Sequence, residues 1–413
     1  MNSLAQTDQK INKLIQQEIK RQQNGLVMIA SENYVSPAVR QALGSVLTNK
    51  YSEGYPNKRY YGGNQFIDQI ELLAQERARQ LFNAKQYHVN VQPYSGSPAN
   101  LEVYFALLKP GDKIMGMALD QGGHLTHGHR VNLSGKMFRF IQYGVDKKTK
   151  RLNYQAIRQL AKREKPKLII SGATAYSRKI NFRQFHQIAQ EIDAISMADI
   201  SHLAGLIVGQ VHPSPFPFTD IVTTTTHKTL RGPRGAMIFC KQKFVKQIDR
   251  MVFPGMQGGP HNQTTAAIAV TLQEASRVIF RRYAQKIVIN AQILAQTLKK
   301  EGIKLVTGGT DNHLLLVDLT NLSIDGQTAT QLLSNIGIYV NKNMIPNDLG
   351  TPTKPSGIRL GTPALTTRGF RQQEMIIVGQ LISQILHQPK NKQINQLARK
   401  QIKQLTKRFP LPR

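Results

Sequence analysis

The residue pattern predicts an α/β fold: a mostly parallel sheet wrapped by helices, followed by a smaller α+β domain. Strand-like runs such as Lys167–Ser171 and Asp220–Thr224 alternate with helical spacing such as Tyr154–Lys162. The 413 residues are enough for a sizeable core and two domains. A hydrophobic content of 40% with 7% aromatics fits a soluble globular enzyme.

Read in order, the chain opens with an N-terminal arm over residues 1–30, where Ile11, Leu14, Ile15 and Ile19 share one helical face. Gln92–Asn100 is a small-residue turn that opens a helix over Leu101–Leu108. Lys167–Ser171 is a strand, and Asp199 follows another. Thr223–Thr226 favours an extended segment that Gly232, Pro233 and Gly235 end. Cys240, the only cysteine, follows Met-Ile-Phe in a further strand, which predicts a buried, inert thiol. The domain boundary is expected within a long helical stretch at Glu274–Arg282, dividing residues 31–278 from residues 279–413. There is no internal repeat and no low-complexity linker.

Four clusters carry chemistry. Lys228 stands at a strand end between a threonine run and a Gly/Pro turn, a sheltered position suited to a Schiff base with a carbonyl cofactor. Asp199, with His202 three residues on, could pair with the pyridine nitrogen of pyridoxal phosphate, while His202 or His124 stacks on the ring. Ser95, Gly96 and Ser97 would offer free N–H groups and hydroxyls to a phosphate at a helix start. Arg359, between Gly357 and Gly361, could hold a carboxylate with its guanidinium fork. Each has a structural alternative: a solvated strand-end lysine, a helix-capping aspartate beside a core histidine, an empty turn and a surface arginine.

Taken together, these segments resemble the serine hydroxymethyltransferase family of fold-type-I pyridoxal phosphate enzymes. The resemblance runs from Ser31-Glu-Asn-Tyr34 to Arg368-Gly-Phe370. It includes Tyr51-Ser-Glu53-Gly-Tyr-Pro, Gly122-Gly-His124-Leu-Thr-His-Gly128, Thr223-Thr-Thr-Thr-His-Lys228, Phe253-Pro-Gly-Met-Gln-Gly-Gly259 and Val340-Asn-Lys-Asn343. It implies a seven-stranded-type sheet and conversion of serine and tetrahydrofolate to glycine and 5,10-methylenetetrahydrofolate through an external aldimine. By this resemblance Lys228, Glu53, Tyr61 and His227 form the catalytic set, with Lys228 carrying pyridoxal 5'-phosphate covalently. Asp199 would pair with the pyridine nitrogen, His124 would stack on the ring, and His202 and Thr174 would lie near its phenolic oxygen. Ser95, Gly96, Ser97 and His227 would hold the phosphate, joined from a partner subunit by Tyr51, Gly258 and Gly259. Arg359 and Ser31 would bind the substrate carboxylate. Glu53 would transfer a proton near the serine hydroxyl, with Tyr61 also lining that site from the partner. Leu119, Gly123, Leu125 and Asn343 match positions that contact the folate. The arm would pack on the partner of a homodimer or tetramer.

The chain also departs from the family pattern. Tyr94 replaces a histidine, Pro98 a glutamine, Ser201 an alanine and Asn181 an acidic residue. Met256 interrupts a Gly-Gly pair, Thr353 stands where an aromatic often faces the folate, and Asp120-Gln121 is unusual ahead of Gly-Gly-His. Thr353 and Met256 keep a folate-independent aldolase acting on 3-hydroxy amino acids as the alternative activity.

Charge is the compositional anomaly: 55 Lys/Arg against 24 Asp/Glu give +31. Eight of the basic residues and no acidic one lie in Pro389–Arg413, where Ile394, Leu397, Ala398, Ile402 and Leu405 are expected on one helical face. A nucleic-acid partner would explain this, making the chain a basic RNA binder with a degenerate enzyme core. So would a solvated basic face, which the spread of basic residues along the chain favours. No apolar run reaches membrane-spanning length and no signal-like apolar segment opens the chain, so the expectation is a cytoplasmic protein without a membrane partner. The eleven histidines and single cysteine show no metal-ligand spacing, and no metal is expected.

Overall fold

A computed structural model describes residues 3–412, leaving Met1 and Asn2 of the arm and Arg413 of the basic tail outside the described residues. Its centre is a seven-stranded sheet built from β1 (Tyr87–Asn90), β2 (Lys113–Met117), β3 (Arg139–Tyr143), β4 (Leu168–Ser171), β5 (Ile195–Asp199), β6 (Ile221–Thr225) and β7 (Ala236–Lys241). The strand order is β1-β7-β6-β5-β4-β2-β3. All neighbours are parallel except β7, which runs antiparallel to both β1 and β6. β4 and β6 are buried at every residue. That two-sided burial is why the central strands read as continuous runs rather than as alternating patterns.

The arm helix α1 (Gln9–Asn24) keeps Ile11, Leu14, Ile15 and Ile19 exposed. The helices α2 (Gln65–Leu81), α3 (Gly96–Leu107), α4 (Tyr154–Glu164) and α5 (Phe182–Gln190) belong to the large sheet. α3 starts five residues before the expected Leu101, because the Ser-Gly-Ser turn is itself its first turn. Pro98 is tolerated there, since the first-turn N–H groups lack intrahelical partners in any case. Asn181 caps α5, its side chain accepting from the Gln184 N–H at 3.2 Å.

The expected helical stretch at 274–282 divides into α6 (Asn262–Ala275) and α7 (Val278–Lys300), with Ser276 and Arg277 between them. Beyond it, β8 (Lys304–Leu305), β9 (Leu314–Asp318), β10 (Asn341–Asn343) and β11 (Gly357–Gly361) form an antiparallel sheet in the order β8-β9-β11-β10. α7, α8 (Gln372–His387) and α9 (Lys392–Arg408) contribute to one hydrophobic core with this sheet. Leu26 and Met28 enter the same core, and Leu26–Val27 pairs in parallel with Ile338–Tyr339. On α9, Ala398, Ile402 and Leu405 are buried and Ile394 is half-buried, whereas Leu397 is 61% exposed and lies off the packed face. Cys240 is fully buried in β7, and burial pushes its thiol up to about 12, which leaves it inert at neutral pH.

Candidate active site

Two neighbouring parallel strands deliver the central pair of charges. Asp199 is the last residue of β5 and is in register with Thr223 of β6. Lys228 follows β6 by three residues, so both groups arrive at the carboxyl end of the sheet, where open α/β sheets bind ligands. The threonines wire the turn in place. Thr226 Oγ1 donates to the Pro233 carbonyl at 2.6 Å, and the Gly232 N–H donates to the Thr226 carbonyl at 2.7 Å. Ser201 joins the two strand ends, its Oγ accepting from the Thr225 N–H at 3.1 Å.

Both groups line a cavity of about 430 Å³. Ser31, Ser95, Gly96, Ser97, His124, Thr174, His202, His227 and Arg359 line the same cavity. Lys228 is only 9% exposed, so it is not a solvated strand-end lysine. Burial lowers its amine to about 8, against the opposing pull of Asp199.

Asp199 does not cap a helix; the helix that follows begins after Leu203. Its Oδ1 accepts from the Ser201 N–H at 3.0 Å and its Oδ2 from Asn100 Nδ2 at 2.9 Å. His127 Nε2 lies 3.2 Å from the same Oδ2. Burial opposes ionisation of Asp199, but the His127 contact, with His124 and Lys228 nearby, outweighs it and holds the carboxyl far below its usual range. The His124 N–H donates to His127 Nδ1 at 3.3 Å, which leaves His127 Nε2–H to donate to Asp199. His124 is itself lowered to about 4, first by burial and then by His127, and is neutral. Its Nδ1 accepts from the Thr126 N–H at 3.1 Å, which fixes the ring.

At the opposite wall, α3 begins at Gly96, where an added Cβ would stand 2.6 Å from Thr225 Cγ2. Only glycine brings the backbone this close to the strand. His227 Nδ1 is buried without a partner, and the ring is lowered to about 3, chiefly by burial. An orphaned buried nitrogen beside a helix N-terminus fits an anion that carries its own hydrogen-bonding groups.

Arg359 lies in the middle of β11, in register with Leu316 on one side and Asn341 on the other. Its Nε donates to Asn341 Oδ1 at 3.1 Å and its Nη1 to the Thr174 carbonyl at 2.7 Å. Nη2 makes no hydrogen bond among the described residues. Burial lowers the guanidinium to about 10, so it stays charged at neutral pH. His202 Nδ1 lies 3.2 Å from His313 Nε2, and burial pushes both rings well down, leaving them neutral.

The remaining expected residues lie elsewhere. Tyr51, Glu53 and Tyr61 form their own cluster outside the cavity, with Tyr51 Oη 3.4 Å from Glu53 Oε1 and the Tyr51 and Tyr61 rings edge to face at 5.1 Å. Gly258 and Gly259 pack on that cluster, and a Cβ on either would meet Glu53 or Tyr51 at 3.2 Å. Leu119 and Asn343 line a second cavity of about 470 Å³, which shares Thr174 with the first. Gly123 and Leu125 line neither. Gly123 is pressed against the Met117 carbonyl and accepts from Thr174 Oγ1 at 2.6 Å, while Leu125 is exposed. Thr353 sits in an exposed loop with its hydroxyl 3.0 Å from that of Thr351.

The sequence-based assignments miss several residues of the site, among them Glu32, Asn100, Thr126, His127 and Arg234. Arg234 lines the cavity, and Asn100 links Thr126 Oγ1 to Asp199 from inside α3. A polar residue one turn after Gly96, on a largely apolar helix, was the available signal for Asn100. His127 repeats the histidine of the Gly-Gly-His run three residues later, but only the folded chain reveals that it reaches Asp199.

Comparison with known proteins agrees with this geometry. A family model described as serine hydroxymethyltransferase matches residues 4–382. A relative named serine hydroxymethyltransferase, from Desulfotalea psychrophila (strain LSv54 / DSM 12343), is 54% identical over 412 residues, covering 100% of this chain and 96% of that protein. A cavity that joins a buried amine, a buried carboxylate and a helix-start cradle thus lies in a chain matched along nearly its whole length, and the chain belongs to the serine hydroxymethyltransferase family.

Proposed function

We propose that this chain converts serine and tetrahydrofolate reversibly to glycine and 5,10-methylenetetrahydrofolate, with pyridoxal 5'-phosphate held in the 430 Å³ cavity. The observation that carries the reading is the buried pair Lys228 and Asp199 in one cavity with the Gly96 cradle and the orphaned His227 nitrogen. Those residues fit the cofactor: an amine for its aldehyde, a carboxylate for its ring nitrogen and N–H donors for its phosphate. When bound, pyridoxal phosphate supplies an electron sink for the bond broken at the substrate Cα.

The chain's own groups do the rest. With its amine lowered to about 8, Lys228 is partly neutral at neutral pH and nucleophilic. Asp199 remains a carboxylate because Asn100, His127 and the Ser201 N–H all donate to it. His124, neutral and fixed by Thr126, offers its ring face. Arg359, held by Asn341 and the Thr174 carbonyl, keeps Nη2 for the substrate carboxylate, with Ser31 beside it. Leu119 and Asn343, in the adjoining cavity, face the folate.

Glu53, Tyr51, Tyr61, Gly258 and Gly259 complete the pocket of a second copy of this chain. There Glu53 exchanges a proton at the serine hydroxyl. Their position outside their own cavity and the exposure of Tyr51 and Tyr61 support that reading, as does the exposed apolar face of α1. The molecule is then a cytoplasmic homodimer, with residues 31–278 as the cofactor domain and 279–413 as the small domain that carries Arg359. The hydrophobic core changes along α7 between Ile287 and Ala291, so the first turns of α7 pack with the cofactor domain although they follow residue 278. No helix among the described residues is long and apolar enough to cross a membrane.

The test is serine turnover by the purified protein with and without tetrahydrofolate, alongside the visible absorption of bound pyridoxal phosphate. Folate-dependent methylenetetrahydrofolate formation, lost in Lys228→Ala, is expected. Serine cleavage indifferent to folate would establish the aldolase instead.

A further inference from the structure

Tyr94 stands immediately before the Ser95–Ser97 cradle but does not line the cavity. Its contacts run the other way. The ring stacks on His261, with centroids 4.3 Å apart and planes at 8°. Its hydroxyl donates to the Gly259 carbonyl at 2.9 Å. Its N–H donates to Gln257 Oε1 at 2.9 Å, and Gln257 Nε2 donates to the Gln92 carbonyl at 3.0 Å.

The turn at residues 257–261 is thereby stapled to the cradle loop on one side. On its other side, Gly259 packs on the Tyr51 ring and Gly258 on Glu53 Oε1, so neither position has room for a Cβ without displacement. The segment carrying Tyr51 and Glu53 is anchored at the same place, because Ser52 Oγ donates to Asn262 Oδ1 at 2.7 Å. A continuous run of contacts thus joins the cradle of one pocket to Glu53.

We infer that Tyr94 is a positioning residue for Glu53: through its hydroxyl on Gly259 it sets the Gly258–Gly259 turn, and thereby the proton-transfer group its chain presents to the other subunit's pocket. The inference rests on the shared-pocket reading above. Tyr94 then acts on the partner's catalysis rather than on its own, so its effect crosses the dimer. Tyr94→Phe keeps the stack on His261 and removes one neutral hydrogen bond, for which a fall in kcat of about fivefold is expected. The serine KM should stay unchanged, because Arg359 and Ser31 lie away from the Gly258–Gly259 turn. Amide exchange should quicken in peptides covering 50–55 and 256–262, but not in those covering 95–100.

Dimers assembled from two differently tagged chains give the decisive measurement. A Lys228→Ala chain paired with a Glu53→Gln chain must first regain activity that neither homodimer has; if it does not, the shared-pocket reading fails and the inference with it. Given that result, a Lys228→Ala chain paired with a Tyr94→Phe chain should turn over like a Lys228→Ala chain paired with wild type. Lys228→Ala/Tyr94→Phe paired with wild type should show the fivefold loss. The reverse pattern, a loss in both pairings or a loss in neither would overturn the role of Tyr94 while leaving the shared pocket intact.

Discussion

Glu102 offers a test of the buried electrostatics that is independent of catalysis. It lies on α3, fully buried, and neither carboxylate oxygen has a hydrogen-bond partner. α3 packs there against Phe244, Ile248 and Val252. The ionisable groups that sense Glu102 are the tyrosines Tyr55 and Tyr94, and no cation pairs with it among the described residues. Burial pushes its carboxyl from 4.5 up to about 8. Because the folded value exceeds the unfolded one, the folded state binds the extra proton. Its contribution is complete below pH 4.5 and is lost as the pH rises toward 8. At about 1.36 kcal/mol per pH unit, with partial ionisation of the folded state near 8, stability falls by about 2 kcal/mol between pH 6 and pH 8. Unfolding entropy of about 2.1 cal/mol/K per residue converts this to a drop in Tm of roughly 2–3 °C for a chain of this length. Glu102→Gln has no proton to lose. Calorimetry of wild type and Glu102→Gln, both saturated with pyridoxal phosphate, should show the variant gaining that much Tm relative to wild type from pH 6 to pH 8. Parallel Tm curves across this range would refute a dry, protonated Glu102.

Three further predictions concern the cavity. Uptake of pyridoxal phosphate by the cofactor-free protein should accelerate with pH through a midpoint near 8, as the Lys228 amine loses its proton; stopped-flow absorbance reads this, and a rate still climbing above pH 9.5 would contradict it. Glu53→Gln should bind the cofactor normally, by absorbance titration, yet lose serine cleavage; wild-type turnover would remove Glu53 from proton transfer. Gly96→Ala must displace α3 from Thr225, since its Cβ would stand 2.6 Å from Cγ2. Equilibrium dialysis should show cofactor affinity weakened by about 1–3 kcal/mol, and undiminished affinity would mean that the cradle does not hold the phosphate.

The local grammar of the chain was legible in advance. Alternating strand and helix patterns announced the parallel sheet, and the threonine run before Gly232-Pro233 placed Lys228 at a strand end. Asp199 and Ser95–Ser97 were recognisable because each stands beside a turn or strand end that punctuates the sequence, and Arg359 because it is a lone cation between Gly357 and Gly361, although the fold places it in mid-strand. The helix at Gly96 began earlier than its apolar residues did, since a glycine–serine turn carries no periodic signal. Leu397 looked like core from spacing alone, yet is exposed, because which side of α9 is covered depends on what packs there.

What the sequence by itself determined is the set of reactive groups and the backbone turns that present them, for these follow from residue type, φ/ψ preference and short-range spacing. Only the tertiary structure decided which distant groups meet. Asn100 and His127 converge on Asp199 across 99 and 72 residues of chain. Arg359 reaches the Thr174 carbonyl across 185. Tyr94 closes on Gly259 across 165. Burial also belongs to the fold, and with it the neutral imidazoles and the lowered Lys228 amine. A side chain's ionisation follows from the water removed and the charges gathered around it, and both are supplied by segments remote in sequence.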